Sequence, residues 1–248
     1  MNRTIFHSVF APIKRFAPSW LANIIRSTAT AFLTPIMFSH KTGHFRSSFK
    51  RAAVTHTGLP LPWFSYPCTD FLKHRDYTGR TVLEFGGGQS TLWWAGRADK
   101  VVTLEGDRGW HDRIAGTMPA NVDLHLVSME TRDKNASDVT GVLASLDTAT
   151  YDVVVIDGLY RREMIEIACA RLSGDGIIIC DDAEGYDYHT GFAGRGMSRV
   201  DFYGFVPGVI MPHCTAIYFR PGAFVFDPSV PIGLPFEENR SNVAPPVT

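Results

Sequence analysis

No aspartate or glutamate occurs among the first 69 residues of this 248-residue chain. Eight of the 24 Lys and Arg residues lie there, which leaves 16 basic against 25 acidic residues in the remainder, a net charge of -9. A basic segment therefore precedes an acidic body. The chain as a whole carries a net charge of -1 and is 45% hydrophobic, which is typical of a globular protein and predicts no nucleic-acid partner.

Cysteine is scarce, and the four cysteines form no Cys-x-x-Cys pair. Three of them lie within or beside apolar runs, where a reduced thiol behaves as a small hydrophobic side chain. This pattern favours a reducing, cytoplasmic location over a disulfide-bonded one. Long apolar runs are also missing, since none approaches the ~18 consecutive residues of a membrane-spanning helix. We therefore predict no transmembrane segment.

The basic segment at residues 1–66 is predicted to be an extension in front of the folded domain. Four of its apolar residues recur at helical spacing, namely Trp20, Leu21, Ile24 and Ile25. Ser19 is placed to cap the first turn of that helix, which we expect to be amphipathic. The helix could lie on an anionic membrane surface as a peripheral contact at its inner face, or pack over a pocket in its own or a neighbouring subunit of a homo-oligomer. Its acid-poor composition also resembles an organellar presequence, although no clear cleavage pattern follows.

The body of the chain, residues 67–226, alternates short apolar runs with helical patterns. Five strands are predicted in it, at residues 81–85, 101–105, 122–127, 153–157 and 177–181. Helices are expected to begin near residues 90 and 110 and to span residues 139–146 and 162–172. Strands that alternate with helices form a parallel sheet covered on both faces, so we predict an α/β, doubly wound domain.

Other segments flank this alternation. Residues 58–67 contain three prolines and several aromatic residues, which predicts an irregular access loop, and a helix is expected near residues 68–74. Residues 200–205 and 215–219 are strand-like with no helical pattern between them, which predicts a C-terminal antiparallel hairpin. Residues 227–248 hold five prolines and predict an extended tail.

The most informative segment is TVLEFGGGQST, residues 81–91. A strand ends in an acidic residue and is followed by three glycines, which let the backbone pass close to a ligand, and then by Ser90 at the start of a helix. Glu105 ends the next strand, where a carboxylate can accept both hydroxyls of an adenosine ribose. The alternatives are an ordinary glycine-rich turn and an exposed strand-end glutamate without a ligand.

These motifs resemble those of the class I S-adenosylmethionine-dependent methyltransferase superfamily, over roughly residues 67–221. The family's acidic-x-Gly-x-Gly-x-Gly pattern appears here with Ser90 in place of the third glycine, as Glu84-Phe85-Gly86-Gly87-Gly88-Gln89-Ser90. The resemblance implies a Rossmann-like, seven-stranded sheet and S-adenosylmethionine as the cofactor. It assigns Glu84 and the loop to the amino-acid end of that cofactor, Glu105 to the ribose, and Ser128 and Met129 to the adenine.

Two rival functions remain. A nicotinamide-dependent oxidoreductase fits less well, because the loop lacks the third glycine of G-x-G-x-x-G and because Glu84 suits a ligand ammonium better than a pyrophosphate. The other rival is a cofactor-binding or interaction module without catalysis.

Three acidic residues end two neighbouring strands of the predicted sheet. Asp157 follows one strand, and Asp181 and Asp182 follow the next, so we expect their carboxylates to converge. They would repel one another unless a proton or a cation such as Mg²⁺ intervened. The arrangement resembles the metal-dependent O-methyltransferases of the catechol and macrocin groups, which implies that all three bind the metal. Alternatively, the pair at 181 and 182 caps the following helix.

The lysine that follows the first aspartate in the catechol type is absent here. We therefore consider Asp157 and His189 as the general base, although His189 could equally be a surface-loop histidine. Aromatic residues could wall the site, namely Trp63, Phe64, Tyr66, Trp93 and Trp94, with the last two also suited to the core. The combined motifs resemble bacterial methyltransferases of sugar and glycan assembly. The acceptor is accordingly predicted to be a hydroxyl of a sugar, glycan or glycosylated small molecule.

Overall fold

Seven strands form a single sheet in this computed structural model, which describes residues 18–158 and 160–233. The strands are β1 (Thr81–Phe85), β2 (Lys100–Glu105), β3 (Val122–Leu126), β4 (Tyr151–Ile156), β5 (Leu172–Cys180), β6 (Ser198–Phe205) and β7 (Pro212–Phe219). Their order is β3-β2-β1-β4-β5-β7-β6. The first five are parallel, and β7 is antiparallel to both β5 and β6. The predicted doubly wound α/β fold with a closing hairpin is confirmed.

Eight helices accompany the sheet within the described residues. They are α1 (Ser19–Thr42), α2 (His44–Lys50), α3 (Tyr66–Leu72), α4 (Gln89–Ala95), α5 (Arg108–Ala115), α6 (Arg132–Ser145), α7 (Met164–Arg171) and α8 (Tyr188–Phe192). A 3-10 turn follows at Phe224–Phe226. None of the helices in this part of the chain is both long and apolar enough to cross a bilayer.

The N-terminal helix differs from its prediction in its cap. It extends well beyond the apolar residues that predicted it, over 24 residues and through Pro35. Ser19 is already its first residue, and the N-cap position belongs to Pro18, without a side-chain hydrogen bond. The predicted serine cap is therefore wrong, because Pro18 already has the extended backbone that precedes a helix. Residues 1–17 and 234–248, the rest of the predicted extension and most of the tail, lie outside the described residues.

Two cores pack on opposite faces of the sheet because side chains alternate along each strand. Leu83 and Phe85 of β1 belong to the core beneath α6 and α7, whereas Val82 belongs to the core beneath α3 and α4. Trp93 and Trp94 are buried in the second core. The central strands consequently need apolar side chains on both faces, which explains the run VVVI in β4.

The same alternation sets a row of positions just beyond the ends of the strands. In the register, Glu84 pairs with Thr103 on one side and with Val155 on the other. Two positions further along each strand, Glu105, Gly86 and Asp157 therefore form the next row on that face. The backbone ladder extends to this row, since the amides of Gly86 and Asp157 donate to the carbonyls of Leu104 and Phe85 at 2.9 and 3.0 Å. Gly86, which has no side chain, therefore lies between two carboxylates.

The access loop at residues 58–65 is irregular, as predicted, and it is fastened to the hairpin. The indole Nε1 of Trp63 donates to the carbonyl of Pro207 at 2.9 Å. The buried amide of Ser65 donates to Oγ1 of Thr215 at 2.9 Å, and that hydroxyl donates to Oδ1 of Asp181 at 2.8 Å. Ser65 also caps α3, which begins two residues before its predicted start. One buried hydroxyl thus connects the loop to the end of β5.

Replacing this hydroxyl tests the connection. Thr215→Val preserves the side-chain shape but leaves the Ser65 amide and the Asp181 carboxyl without their partner. We expect a loss of roughly 2 kcal/mol in the free energy of unfolding, the usual cost of a buried group left unpaired. Thr215→Ser, the matched control, keeps the hydroxyl and should lose only about 1 kcal/mol for one methyl group. Urea unfolding measures both, and equal losses would contradict the role of the hydroxyl.

Candidate cofactor and active site

A cavity of about 410 Å³ opens at the carboxyl ends of the parallel strands. Its wall includes Gly86, Gly87 and Gly88 of the glycine loop together with Glu105 and Asp157. This is the size and the place that a small-molecule ligand occupies in an open α/β sheet.

The glycine loop needs glycine for a geometric reason at Gly86. Its φ is +97°, and a Cβ there would lie 3.0 Å from the backbone of Gly158, in the loop after β4. Two side chains then hold the loop in place. The amide of Gly87 donates to Oε2 of Glu105 at 2.8 Å, and the indole of Trp110 donates to the carbonyl of Gly87 at 2.7 Å. Trp110 also lines the cavity, and the sequence pattern did not identify it.

Glu105 lies where the prediction placed it. It is 8% exposed, lies on the cavity wall, and accepts a second amide hydrogen bond, from Asp107, at 2.7 Å. A carboxylate oxygen has more than one lone pair, so both oxygens keep acceptor capacity toward a ligand. Glu105 can therefore brace the glycine loop and bind two hydroxyls at once.

Glu84 lies deeper than predicted. It is fully buried beneath the glycine loop and is not among the residues of the cavity wall. Its Oε2 accepts hydrogen bonds from the hydroxyls of Thr91 and Thr103, while Oε1 has no partner within the described residues. The prediction that Glu84 directly contacts a ligand amine needs correction, because side-chain alternation puts Glu84 one row below Gly86 and the cavity wall.

Of the two residues predicted to bind the adenine, Ser128 and Met129, one lies on the cavity wall. Met129 lines the cavity and packs over Gly106, where a Cβ would lie 2.3 Å from its side chain. Ser128 does not line the cavity, since its amide donates to Asp138 at 3.0 Å and its carbonyl accepts from Asn135 at 2.7 Å. Asn135 is on the wall instead, beside apolar side chains that form a slot, namely Leu104, Val127 and Val139.

At the opposite end, Arg161 occupies the place that the prediction gave to a metal ion. It is 9% exposed, and its guanidinium lies 3.0 Å from the carboxylate of Asp157 and 3.4 Å from that of Asp182. It also donates to the carbonyls of Gly158 at 3.0 Å and Asp181 at 2.7 Å. These contacts fix the guanidinium between two of the three predicted metal ligands. The sequence pattern assigned no role in the site to Arg161.

Asp181 is neutralised in another way. Its side chain is buried against Thr215, and burial, the largest cause, raises the pKa of Asp181 well above its ordinary value. Asp182 adopts a φ of +48° and turns its other oxygen toward Nδ1 of His213 at 3.1 Å. The predicted Mg²⁺ set of Asp157, Asp181 and Asp182 is therefore not assembled, because the Arg161 guanidinium lies between Asp157 and Asp182 and the side chain of Asp181 is buried against Thr215.

A different acidic group lies nearby. Within residues 18–158 and 160–233, the three potential ligands whose donor atoms lie within 4.8 Å of one another are Asp182, Glu184 and His213. The alternative in which Asp181 and Asp182 cap a helix is also wrong, since α8 begins after Asp187.

The two candidates for a general base differ in position. Asp157 lines the cavity, and burial raises the pKa of its carboxyl, against the lowering effect of Arg161. The His189 side chain is 72% exposed, pairs with Asp187 at 3.1 Å and is not on the wall, so it is a surface histidine, although it lies in the short helix α8 rather than in a loop. Of the predicted aromatic wall, only Trp63 lines the cavity, where Tyr186 joins it, and the others are buried in the core.

The buried carboxyl of Glu84 predicts a pH-dependent stability. Burial raises the pKa of Glu84 from 4.5 to about 7. The folded state therefore holds this proton more tightly than the unfolded state, and stability falls as pH rises from about 4.5 to about 7. Glu84→Gln should be more stable than the parent at pH 8, by up to about 3 kcal/mol, since one pKa unit corresponds to about 1.4 kcal/mol. That gain should vanish near pH 5.

Urea unfolding of the ligand-free protein at both pH values measures this effect. Glu130→Gln is the matched control, because the Glu130 side chain is 71% exposed and pairs only with Lys134 in the adjoining turn. The control should show the same difference from the parent at both pH values. A Glu84→Gln protein that is equally destabilised at pH 5 and pH 8 would contradict the raised pKa.

No family model matches this chain, and no curated protein does either. Solved structures do match. An O-methyltransferase from Bacillus cereus in complex with SAH has 14% identity and a TM-score of 0.48, over 79% of this chain and 97% of that one. A methyltransferase-like protein from Silicibacter pomeroyi has 15% identity and a TM-score of 0.44, over 65% and 89%. An amino pentose methyltransferase from Micromonospora echinaspora, involved in calicheamicin biosynthesis, has 15% identity and a TM-score of 0.41, over 57% and 84%. At these values neither the activity nor the substrate of those proteins carries over to this chain.

Proposed function

We propose that this protein is an S-adenosylmethionine-dependent O-methyltransferase that acts on a hydroxyl of a sugar, a glycan or a glycosylated small molecule. The observation that carries the proposal is the cavity at the carboxyl ends of the parallel strands, on whose wall Gly86 lies between the carboxylates of Glu105 and Asp157. In this proposal Glu105 binds the nucleoside sugar, and Asp157 faces the reacting groups.

The residues of the cavity fit the parts of S-adenosylmethionine. Glu105 would accept the ribose hydroxyls, and the slot between Leu104, Val127 and Val139 would take the adenine. Charge favours this cofactor over a nicotinamide dinucleotide. The wall carries three acidic residues, Glu105, Asp107 and Asp157, against two arginines, Arg51 and Arg161, and this net negative charge attracts a sulfonium and an ammonium but repels a pyrophosphate.

The cofactor, when bound, supplies an activated methyl group, so the protein's own contribution is mainly alignment. Asp157 is the base in this proposal, because it lies on the wall and its raised pKa brings it nearer to neutrality. Arg161 holds that carboxylate in position through a 3.0 Å ion pair. The proposal assigns no step to Mg²⁺, since Arg161 already neutralises Asp157 and Asp182.

The acceptor class is supported by the mouth of the cavity. Two aromatic side chains there, Trp63 and Tyr186, are 44% and 39% exposed. The guanidinium of Arg161 stacks 4.6 Å from the centre of the Tyr186 ring, which fixes that ring in place. Rigid aromatic faces beside polar groups suit the mixed apolar and hydroxyl surface of a sugar.

Calorimetric titration tests the cofactor. S-adenosylmethionine should bind, and NADH and NADPH should not. Glu105→Gln should weaken binding by on the order of 10- to 100-fold, because a charged hydrogen-bond partner of the ligand is lost. The matched control is Asp112→Asn, whose side chain on α5 is 64% exposed and away from the wall. Preferential binding of a nicotinamide cofactor would overturn the proposal.

A turnover assay with methyl-labelled cofactor and a panel of sugars and glycans tests the reaction. Asp157→Asn should bind the cofactor within a few-fold of the parent but lose on the order of 100-fold or more in kcat, as expected for a missing base. Turnover should be the same in EDTA and in Mg²⁺. Loss of turnover in EDTA with recovery in Mg²⁺ would contradict the role given to Arg161. Cofactor binding without turnover on any acceptor would favour the non-catalytic module.

A further inference from the structure

The N-terminal helix exposes large apolar side chains. Helix α1 is about 36 Å long at 1.5 Å per residue, and Thr42 at its end is its buried residue. Four of its side chains are between 54% and 70% exposed, namely Trp20, Ile24, Phe32 and Ile36. At 100° per residue these four fall within one half of the helix circumference. Thr28 separates them into two pairs, but large exposed apolar side chains on one half of a helix mark a contact surface.

A second apolar group lies on the body next to this helix. Phe45 and Phe49, one turn apart on α2, are 72% and 81% exposed, and their rings stack at 6.5 Å. The loop between β6 and β7 packs against α2, because a Cβ on Gly208 would lie 2.5 Å from the amide of Ser48. Ile210 follows in that loop at 84% exposure. We call the docking face the set Trp20, Ile24, Phe32, Ile36, Phe45, Phe49, Ile210 and Met211.

Basic residues accompany the docking face. Arg46, Lys50 and Arg51 lie in or directly after α2, and no acidic residue occurs in the chain before Asp70. Apolar side chains flanked by cations are what an interfacial helix presents to the acyl boundary and the anionic headgroups of a bilayer. We propose that the docking face binds the surface of an anionic lipid bilayer.

A second copy of the chain fits this face less well. A symmetric dimer would bring the same patch together from both subunits. Each subunit carries eight Lys and Arg and no Asp or Glu in its first 69 residues, so two such segments would repel each other. A lipid surface supplies the opposite charge that another copy lacks.

The docking face also borders the mouth of the cavity. Arg51 and Ala52, which directly follow α2, line the cavity, as does Trp63. The indole of Trp63 holds the carbonyl of Pro207, the residue before Gly208. Docking would therefore bring the mouth close to the bilayer. With the proposed function, on which this step alone rests, the acceptor would be a hydroxyl carried by a membrane lipid or a lipid-linked glycan.

Flotation of the full chain with vesicles tests the docking. The protein should float with vesicles of phosphatidylcholine and phosphatidylserine, and far less with phosphatidylcholine alone or at high salt. Phe45→Glu combined with Phe49→Glu should reduce the floated fraction by on the order of tenfold. The matched control is Ile232→Glu, which changes a 98% exposed aliphatic side chain outside the docking face and should float like the parent.

Three results would overturn the proposal: a parent protein that stays at the bottom of the gradient, a double variant that floats as well as the parent, or a dimer in solution that the double variant dissociates. The circular dichroism and melting temperature of each variant establish that it is folded. Cofactor titration of the same samples separates the two proposals, since flotation without S-adenosylmethionine binding would refute the methyltransferase and leave the docking standing.

Discussion

Charge neutralisation at the carboxyl ends of β1, β2, β4 and β5 governs this structure. Four carboxyl groups, of Glu84, Glu105, Asp157 and Asp181, lie on one face of the sheet at the ends of neighbouring strands. The charge of these four groups is balanced in three ways. Backbone amides hold Glu105, the Arg161 guanidinium holds Asp157, and burial favours the protonated forms of Glu84 and Asp181. Without these interactions, repulsion between the four carboxylates would oppose the packing of the four adjacent strand ends.

This division decides where a ligand can bind. Glu84 and Asp181, whose pKa values burial raises, lie inside the protein and accept hydrogen bonds there, Glu84 from hydroxyls beneath the glycine loop and Asp181 from Thr215 under the access loop. The two that face the cavity, Glu105 and Asp157, stand on either side of Gly86. A cavity with two carboxylates and a locked arginine selects for cationic parts of a ligand. The same arginine removes the charge excess that a divalent cation would otherwise relieve.

Apolar runs ending in acid located the ends of the central strands within one residue, because a strand buried on both faces tolerates few other patterns, although β5 begins five residues before its predicted start. The hairpin followed from two strand-like runs without a helix between them. How deeply a side chain lies below the cavity was harder to predict. Whether Glu84 lines the cavity or lies beneath it depends on the stacking of rows across three strands, which the sequence of one strand does not contain. Arg161 was missed for a related reason, since its role arises from carbonyls and carboxylates on two separate loops.

The division of charge along the chain also affects how the protein would be oriented at an anionic bilayer. The residues from Asp70 onward carry a net charge of -9 and would be repelled by an anionic bilayer, while the first 69 residues would be attracted. Under the proposed docking, those opposing forces would turn the chain so that α2 meets the surface and the acidic body points away. The cavity opens at the boundary, beside Arg51 and next to Glu105 and Asp157. A cationic ligand and an anionic surface would thus be drawn to adjacent places on one edge of the sheet.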